Sequence, residues 1–354
     1  MGARLDSIIE SWDGLGVVVR FDRATGSWIF VALHDDTLGK PVGGTRMRVY
    51  GSPAEGLLDA MRLAEGMTHK WAALEFDNGG GKAVLAVPQL LEGEERLGLL
   101  RRFGALMNTL GGTFATGRDL GTTDDDMLTL AEVTPYVHGV NVAGEAVKDP
   151  GPYTARGVFA AMRAVLHALH GEADPSGRVV VVQGAGAVGA PLAGRLAAAG
   201  ARVLVSDVDT SKAESLAREV GAQTISAESV FDSECDIFAP CAVGAVLDEG
   251  TIARLRCRAV AGAANNQLAA EGDADRLHQR GILYAPDFVA NGGGALAFGL
   301  MHRGVTDDRM LFDRLAGIED SMRRILSEAA EQGESPLRAA RRLVGRVLAD
   351  KRAC

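Results

Sequence analysis

Cysteine, aromatic residues and positive charge are all in short supply in this chain. Four of its 354 residues are cysteine, Cys235, Cys241, Cys257 and Cys354, and their spacing fits neither a disulfide framework nor paired zinc knuckles. A reducing cytoplasm is the expected setting. Aromatic residues make up 5% of the chain, and Lys+Arg 37 against Asp+Glu 46 leaves a net charge of −9. A polyanion is repelled on average, so no nucleic-acid partner is expected. Long apolar runs are missing too: 179–194 is short and rich in glycine, and Arg4, Asp6, Glu10 and Asp13 interrupt the start. Neither a membrane span nor an export signal is expected from them. None of the seven histidines forms the helical pair with an intervening glutamate of a zinc protease, and no serine sits in a nucleophile elbow. No metal site and no acyl-transfer chemistry are therefore expected.

What is present is an ordinary globular balance, 47% hydrophobic and 23% charged, over a length that at about 150 residues per domain gives two domains. Two β-like runs, 16–21 and 27–33, flank a turn-rich segment and predict a hairpin. Leu57, Met61, Ala64 and Met67 carry the period of a one-faced helix, 83–87 reads as a buried strand, 94–110 as a second helix and 113–115 as a strand. Periodicity fails between Asn141 and Pro152, where Gly144, Pro150, Gly151 and Pro152 cluster. That places a boundary between domains 1–148 and 149–329. After a helix over 154–170, strands at 179–182, 203–206, 237–238, 259–261 and 283–284 alternate with helical segments, the pattern of a doubly wound parallel sheet. Beyond Asp307, two amphipathic helices close the chain, and 330–354 is expected to pack back on the first domain.

The first strand of the second domain runs from Val179 into Gly184-Ala185-Gly186-Ala187-Val188-Gly189. Strand, Gly-x-Gly-x-x-Gly loop and helix in that order form a dinucleotide-binding site. Gly184 permits the turn, Gly186 admits the pyrophosphate to the backbone, Gly189 lets helix and strand close up, and Ala187 and Val188 lie at the helix N-terminus facing the phosphates. The next strand ends at Asp207, 207 − 184 = 23 residues on, near the spacing of about 20 for a carboxylate on the adenosine ribose. Such a carboxylate repels a 2′-phosphate, so NAD is expected over NADP.

Asn78-Gly79-Gly80-Gly81-Lys82-Ala83 is no P-loop, since Phe76 stands where the first glycine belongs and Ala83 where the Ser/Thr belongs. A lysine behind glycines is more often a surface turn residue than a catalyst. If ligand and backbone crowd it, however, desolvation and a second cation lower its pKa and make it a base.

Seven segments occur in the order shown by a known family. They are 43–47 (Gly-Gly-Thr-Arg-Met), 66–70 (Gly-Met-Thr-His-Lys), 79–82 (Gly-Gly-Gly-Lys), 116–122 (Thr-Gly-Arg-Asp-Leu-Gly-Thr), 238–242 (Phe-Ala-Pro-Cys-Ala), 261–266 (Ala-Gly-Ala-Ala-Asn-Asn) and 284–289 (Tyr-Ala-Pro-Asp-Phe-Val). On these, the chain resembles the Glu/Leu/Phe/Val dehydrogenases, which oxidatively deaminate L-amino acids with NAD, and most closely the leucine/phenylalanine/valine branch. The resemblance implies that 1–148 is the substrate and oligomerisation domain of a homo-oligomer. It implies that Lys82 is the catalytic amine and Asp119 the acid/base carboxylate. Lys70 then binds the substrate carboxylate with the backbone at Gly43 and Gly44, and Asn265 contacts substrate and cofactor. Cys241 and Ala242 are implied to wall the nicotinamide site.

The glutamate branch places a lysine where this chain has Val42. A neutral side chain there cannot compensate a buried carboxylate, so an apolar substrate is expected. Val42, Gly117 and Val289 are the candidate pocket walls, with Gly117, as in the phenylalanine type, giving room for an aromatic ring. The partners implied are an amino acid, its 2-oxo acid and ammonia. Two rival readings remain at this point: a dehydrogenase of another small acid, which argues for a histidine base, and a non-catalytic NAD sensor.

Overall fold

A computed structural model of the chain describes residues 5–10, 12–140 and 149–353. The chain forms two compact units, one comprising Met1–Lys148, Met301–Gly304 and Val347–Cys354, the other Asp149–Leu300 and Val305–Arg346. Of the 330–354 segment assigned to the first domain, Val347–Cys354 groups with it and the rest with the second unit. Arg352 ties that tail to the first unit through Asp35, at 2.6 Å, and Thr37, at 3.0 Å.

The first unit is built on a five-stranded sheet in the order β1-β2-β4-β3-β5, where β1 is Gly16–Asp22, β2 Ser27–Asp35, β3 Pro41–Val49, β4 Gly79–Val87 and β5 Ala115–Arg118. β1 and β2 form an antiparallel hairpin closed at Asp22 and Ser27, while β3 runs parallel to both β4 and β5. Alternation sorts β4 between two cores. Val84 and Ala86 pack with Leu57, Met61 and Ala64 of the helix Pro53–Ala73. Ala83, Leu85 and Val87 pack with Leu99, Phe103, Phe114 and Met127. Ser52 starts the Pro53–Ala73 helix by accepting a hydrogen bond from the Glu55 N–H, with Pro53 in the first turn, where its missing N–H costs nothing.

β4 begins four residues ahead of the expected 83–87, and β3, central to the sheet, reads from sequence as a motif rather than a strand. The cause is the same in both. Glycines at 43, 44, 79, 80 and 81 erase the apolar alternation because the chain crowds there. A Cβ at Gly43 would stand 1.7 Å from the Gly81 carbonyl oxygen, and one at Gly80 1.9 Å from Thr68 Oγ1.

The second unit holds a six-stranded, all-parallel sheet in the order β11-β10-β9-β6-β7-β8. Here β6 is Val179–Gln183, β7 Arg202–Ser206, β8 Gln223–Thr224, β9 Cys235–Pro240, β10 Cys257–Val260 and β11 Leu283–Tyr284. Counted from β6 as the first strand, this is the 3-2-1-4-5-6 order of doubly wound dinucleotide folds, with its switch point between β6 and β9. The closing helices, Asp308–Gln332 and Pro336–Arg352, are separated at Gly333, whose φ of +64° ends the first of them. No described helix is long and apolar enough to cross a membrane.

Gly80→Ala tests the close approach of helix and strand. Overpacking of this kind costs about 1–3 kcal/mol, so the urea midpoint of the variant should fall accordingly. An unchanged midpoint would show that the helix does not sit against Gly80.

Candidate active site

At the glycine-rich end of β3, β4 and β5 the first unit gathers a buried charge cluster. Lys82 projects from β4 on the face shared with Val84 and is 4% exposed. Its Nζ lies 3.0 Å from Asp119 Oδ1. The other carboxylate oxygen of Asp119 accepts from Arg46 Nε at 2.8 Å. Arg46 Nη1 in turn donates to Asp59 at 2.9 Å, and Asp59 also accepts from Tyr50 Oη at 2.7 Å and from Arg62 at 2.7 Å. Cations and anions thus alternate from Arg62 to Lys82. This arrangement meets the requirement that buried charges be paired.

Asp119 reaches Lys82 because Gly44 makes room: a Cβ at Gly44 would lie 2.7 Å from the Asp119 Cβ. Thr122 pins the Asp119 turn, its hydroxyl accepting from the Asp119 N–H at 3.0 Å and lying 2.9 Å from the Thr45 carbonyl of β3. Gly121, at φ +80°, passes so close to the Met47 carbonyl that a side chain has no space. Arg118 turns away and pairs with Asp124 at 3.1 Å, so it leaves the Asp119 carboxylate alone.

The electrostatics follow from this packing. Burial pushes the Asp119 carboxyl up, but the charges of Lys82 and Arg46 outweigh it and hold the group at about 2. Lys82 is lowered, first by burial and then by the like charge of Arg46, with Asp119 opposing. The cation acting on Lys82 here is Arg46, which the sequence places inside a motif without marking its role. The glycines at 79–81 allow the close packing of β4 against Asp35, Thr68 and Phe114. An amine of lowered pKa held beside an ionised carboxylate is suited to taking up and giving back a proton.

Val42 is buried in β3 between Gly80 and Ala115, and its carbonyl accepts from Trp71 Nε1 at 3.1 Å. Gly117 pairs with Gly44, and the nearest neighbours of a Cβ added there are atoms of His138, at the ordinary distances of 3.5 and 3.6 Å. The His138 ring stacks on His302 at 3.9 Å. Burial, with the charges of Lys40 and Arg303, depresses both imidazoles, His138 to about 3. Lys70 stands half-buried in the last turn of the Pro53–Ala73 helix. Sequence reasoning missed Arg46, Asp59, Tyr50, Thr122 and His138 as participants. Arg46 and Thr122 carry a signal in the quoted motifs, whereas Asp59 and Tyr50 carry none.

In the second unit the glycine loop leaves β6 at the switch point. Gly184 takes φ +107°; a Cβ at Gly189 would strike the Gly184 carbonyl at 1.9 Å; nothing lies within 4 Å of one at Gly186. Asp207 accepts from the Ala185 N–H at 2.7 Å and the Asp209 N–H at 2.9 Å. The helix Gly189–Ala198 starts directly after Ala187 and Val188. Cys241 and Ala242 follow β9, within reach of a Cβ at Gly184, and burial pushes the Cys241 thiol up to about 12. An open anion-accepting loop beside a carboxylate fits the phosphates and ribose of a dinucleotide. Asn265 is exposed after β10, and its Oδ1 accepts from Asn291 Nδ2 at 2.7 Å. Val289 is fully buried in the short helix Asp287–Ala290.

Residues 19–136 match the family profile described as "Glu/Leu/Phe/Val dehydrogenase, dimerisation domain", and residues 204–345 match "Glutamate/Leucine/Phenylalanine/Valine dehydrogenase". The chain belongs to this family. The Glu/Leu/Phe/Val dehydrogenases are oxidoreductases that use NAD or NADP. A leucine dehydrogenase of Thermoactinomyces intermedius is 37% identical over 335 residues, covering 95% of this chain and 91% of that one. A phenylalanine dehydrogenase of Bacillus thermotolerans is 37% identical over 92% of this chain and 86% of its own length. The crystal structure of L-tryptophan dehydrogenase from Nostoc punctiforme superposes with a TM-score of 0.84 at 34% identity, covering 99% of this chain and all of that one.

Asp119→Asn removes the charge that supports protonated Lys82. Its amine should therefore lose its proton at lower pH than in the parent, read as an earlier rise with pH in the rate of Lys82 acylation by peptide mapping. An unmoved or later rise would show that Asp119 does not set the state of Lys82.

Proposed function

We propose that the chain catalyses NAD-dependent oxidative deamination of an apolar L-amino acid to the 2-oxo acid and ammonia, and the reverse reductive amination. The observation that carries this reading is the buried Lys82–Asp119 pair, a proton-moving device set among backbone glycines in a chain that also has a dinucleotide loop. The bound nicotinamide supplies the acceptor for the hydride leaving the substrate α-carbon. Lys70 neutralises the substrate α-carboxylate, assisted by the backbone at Gly43 and Gly44. Lys82 as the free amine takes the proton of the water that attacks the iminium carbon and passes it to the leaving nitrogen until ammonia departs, while the ionised Asp119 holds the Lys82 ammonium formed in between. Asn265, oriented by Asn291, donates to substrate and cofactor.

Substrate class follows from the pocket. Val42, Gly117 and the two imidazoles near Gly117, kept neutral by burial, offer no charge to a distal carboxylate, so leucine-, phenylalanine- or valine-like side chains are favoured. NAD is the cofactor of this reading because the Asp207 carboxylate would face a 2′-phosphate with like charge. A homo-oligomer is part of it, supported by the match of 19–136 to a dimerisation domain. So is a reducing cytoplasmic setting, supported by the free thiols of Cys235, Cys241 and Cys257.

NADH consumption with apolar 2-oxo acids should depend on ammonium, and Lys82→Ala should lose most turnover while still binding NAD. Oxidation without ammonium would point to a hydroxy-acid dehydrogenase, and cofactor binding with no turnover to a sensor. Gly117→Ala has room to fold, and it should move kcat/KM from phenylalanine towards leucine or valine by about 1–3 kcal/mol, the scale of one methylene in a pocket. Unchanged ratios would remove Gly117 from the pocket wall.

A further inference from the structure

The six-stranded sheet has two ends, and the proposed reaction uses only the one where its strands finish. At the other end β9 and β10 both open on a cysteine, and the parallel register sets Cys257 directly against Cys235. Residues in register on neighbouring strands present their side chains to the same face, and the strands run about 4.7–4.9 Å apart. That separation falls within the Cα spacing of about 4.4–6.8 Å that a disulfide bridges. Both thiols are free, and both line an open cavity of about 590 Å³ whose wall includes Asp236, Arg256 and Arg280. Cys235 is half-buried there and Cys257 is 7% exposed.

The two thiols are not equivalent. Cys257 is held below its ordinary value, first by the thiol hydrogen bond from Cys235 and further by the charge of Arg280, while the same bond and burial push Cys235 up. Two thiols in register on neighbouring strands and lining one open cavity are the arrangement of a redox-responsive pair, in which one sulfur is oxidised and its neighbour resolves it. Among the described residues no group of three or more His, Cys, Asp or Glu side chains is placed to hold a metal, so a structural metal centre does not account for the pairing.

We propose that Cys235 and Cys257 are a reversible oxidation site, converted by hydrogen peroxide to an intrachain disulfide across β9 and β10. One thiol, as its thiolate, attacks the peroxide O–O bond and takes one oxygen as the sulfenic acid, while the other oxygen leaves as hydroxide and takes up the proton that the thiol released, giving water. The second sulfur then attacks the oxidised one and displaces its hydroxyl, which leaves with the second thiol's proton as another water. The two thiols lose two protons and two electrons in all, and one peroxide is reduced to two waters. A dithiol reductant reverses the bridge.

The test is peptide mapping of the full chain after peroxide treatment and alkylation without reduction. The expected product is a Cys235–Cys257 linked pair, lighter than the two free peptides by two hydrogens and lost on reduction with a dithiol. In Cys235→Ser the resolving thiol is gone, and Cys257 should accumulate as a sulfenic acid trapped by dimedone. Recovery of both cysteines as alkylated thiols, or linkage of either one to Cys241 or Cys354, would overturn the proposal, and the mapping of the parent chain needs no variant to fold.

Discussion

The first unit is organised around the need to keep one buried ammonium group and one buried carboxylate in contact. Neither Lys82 nor Asp119 is tolerable alone in a site so shut off from water, since an unpaired charge there costs several kcal/mol. Held together at 3.0 Å and flanked by Arg46, they become a stable pair whose proton is nevertheless easily displaced, because burial and Arg46 both press against the charged form of the amine. The structural features around them serve that contact. Gly44 clears space for Asp119, Thr122 fixes its turn to β3, and Gly80 and Gly81 let β4 run close beneath the helix and Phe114.

Stability and chemistry are coupled through this arrangement. The same glycines that remove side-chain bulk also deny β3 and β4 the apolar alternation that marks strands, so the sheet is held there by backbone pairing and by the two cores on either side. The second unit shows the opposite economy. Apart from the polar pair of β8 its strands are short and apolar at their centres, and its ligand-facing features are confined to the turns that follow them, where Gly184 and Asp207 preform a loop.

This difference decides what was legible in the sequence. Five of the six parallel strands, the glycine loop and Asp207 followed from local pattern, because each of those strands carries a short apolar run, whereas β8, the exposed polar pair Gln223–Thr224, carries no such signal. The quoted motifs marked Lys82, Asp119 and Gly44, yet β3 itself was hidden by Gly43 and Gly44. Asp59 and Tyr50 had no signal either, since the bonds that recruit them to Arg46 join a strand to a helix and depend on how the two pack. Asn291 lies just beyond the last of those motifs and carries no signal of its own: its partner Asn265 is 26 residues away, and only the folded chain brings their amides to 2.7 Å.

The alternating charges that end at Lys82 begin at Arg62, whose side chain is 52% exposed. The deepest amine of the unit is thus joined to the bulk medium by a relay of contacts in which every member polarises the next. Dissolved ions screen the outer member strongly and the inner ones hardly at all. Asp59, which acts on the buried amine, is thus itself paired with a guanidinium on the outer face of a helix, so a single carboxylate links the deepest charge of the unit to the medium.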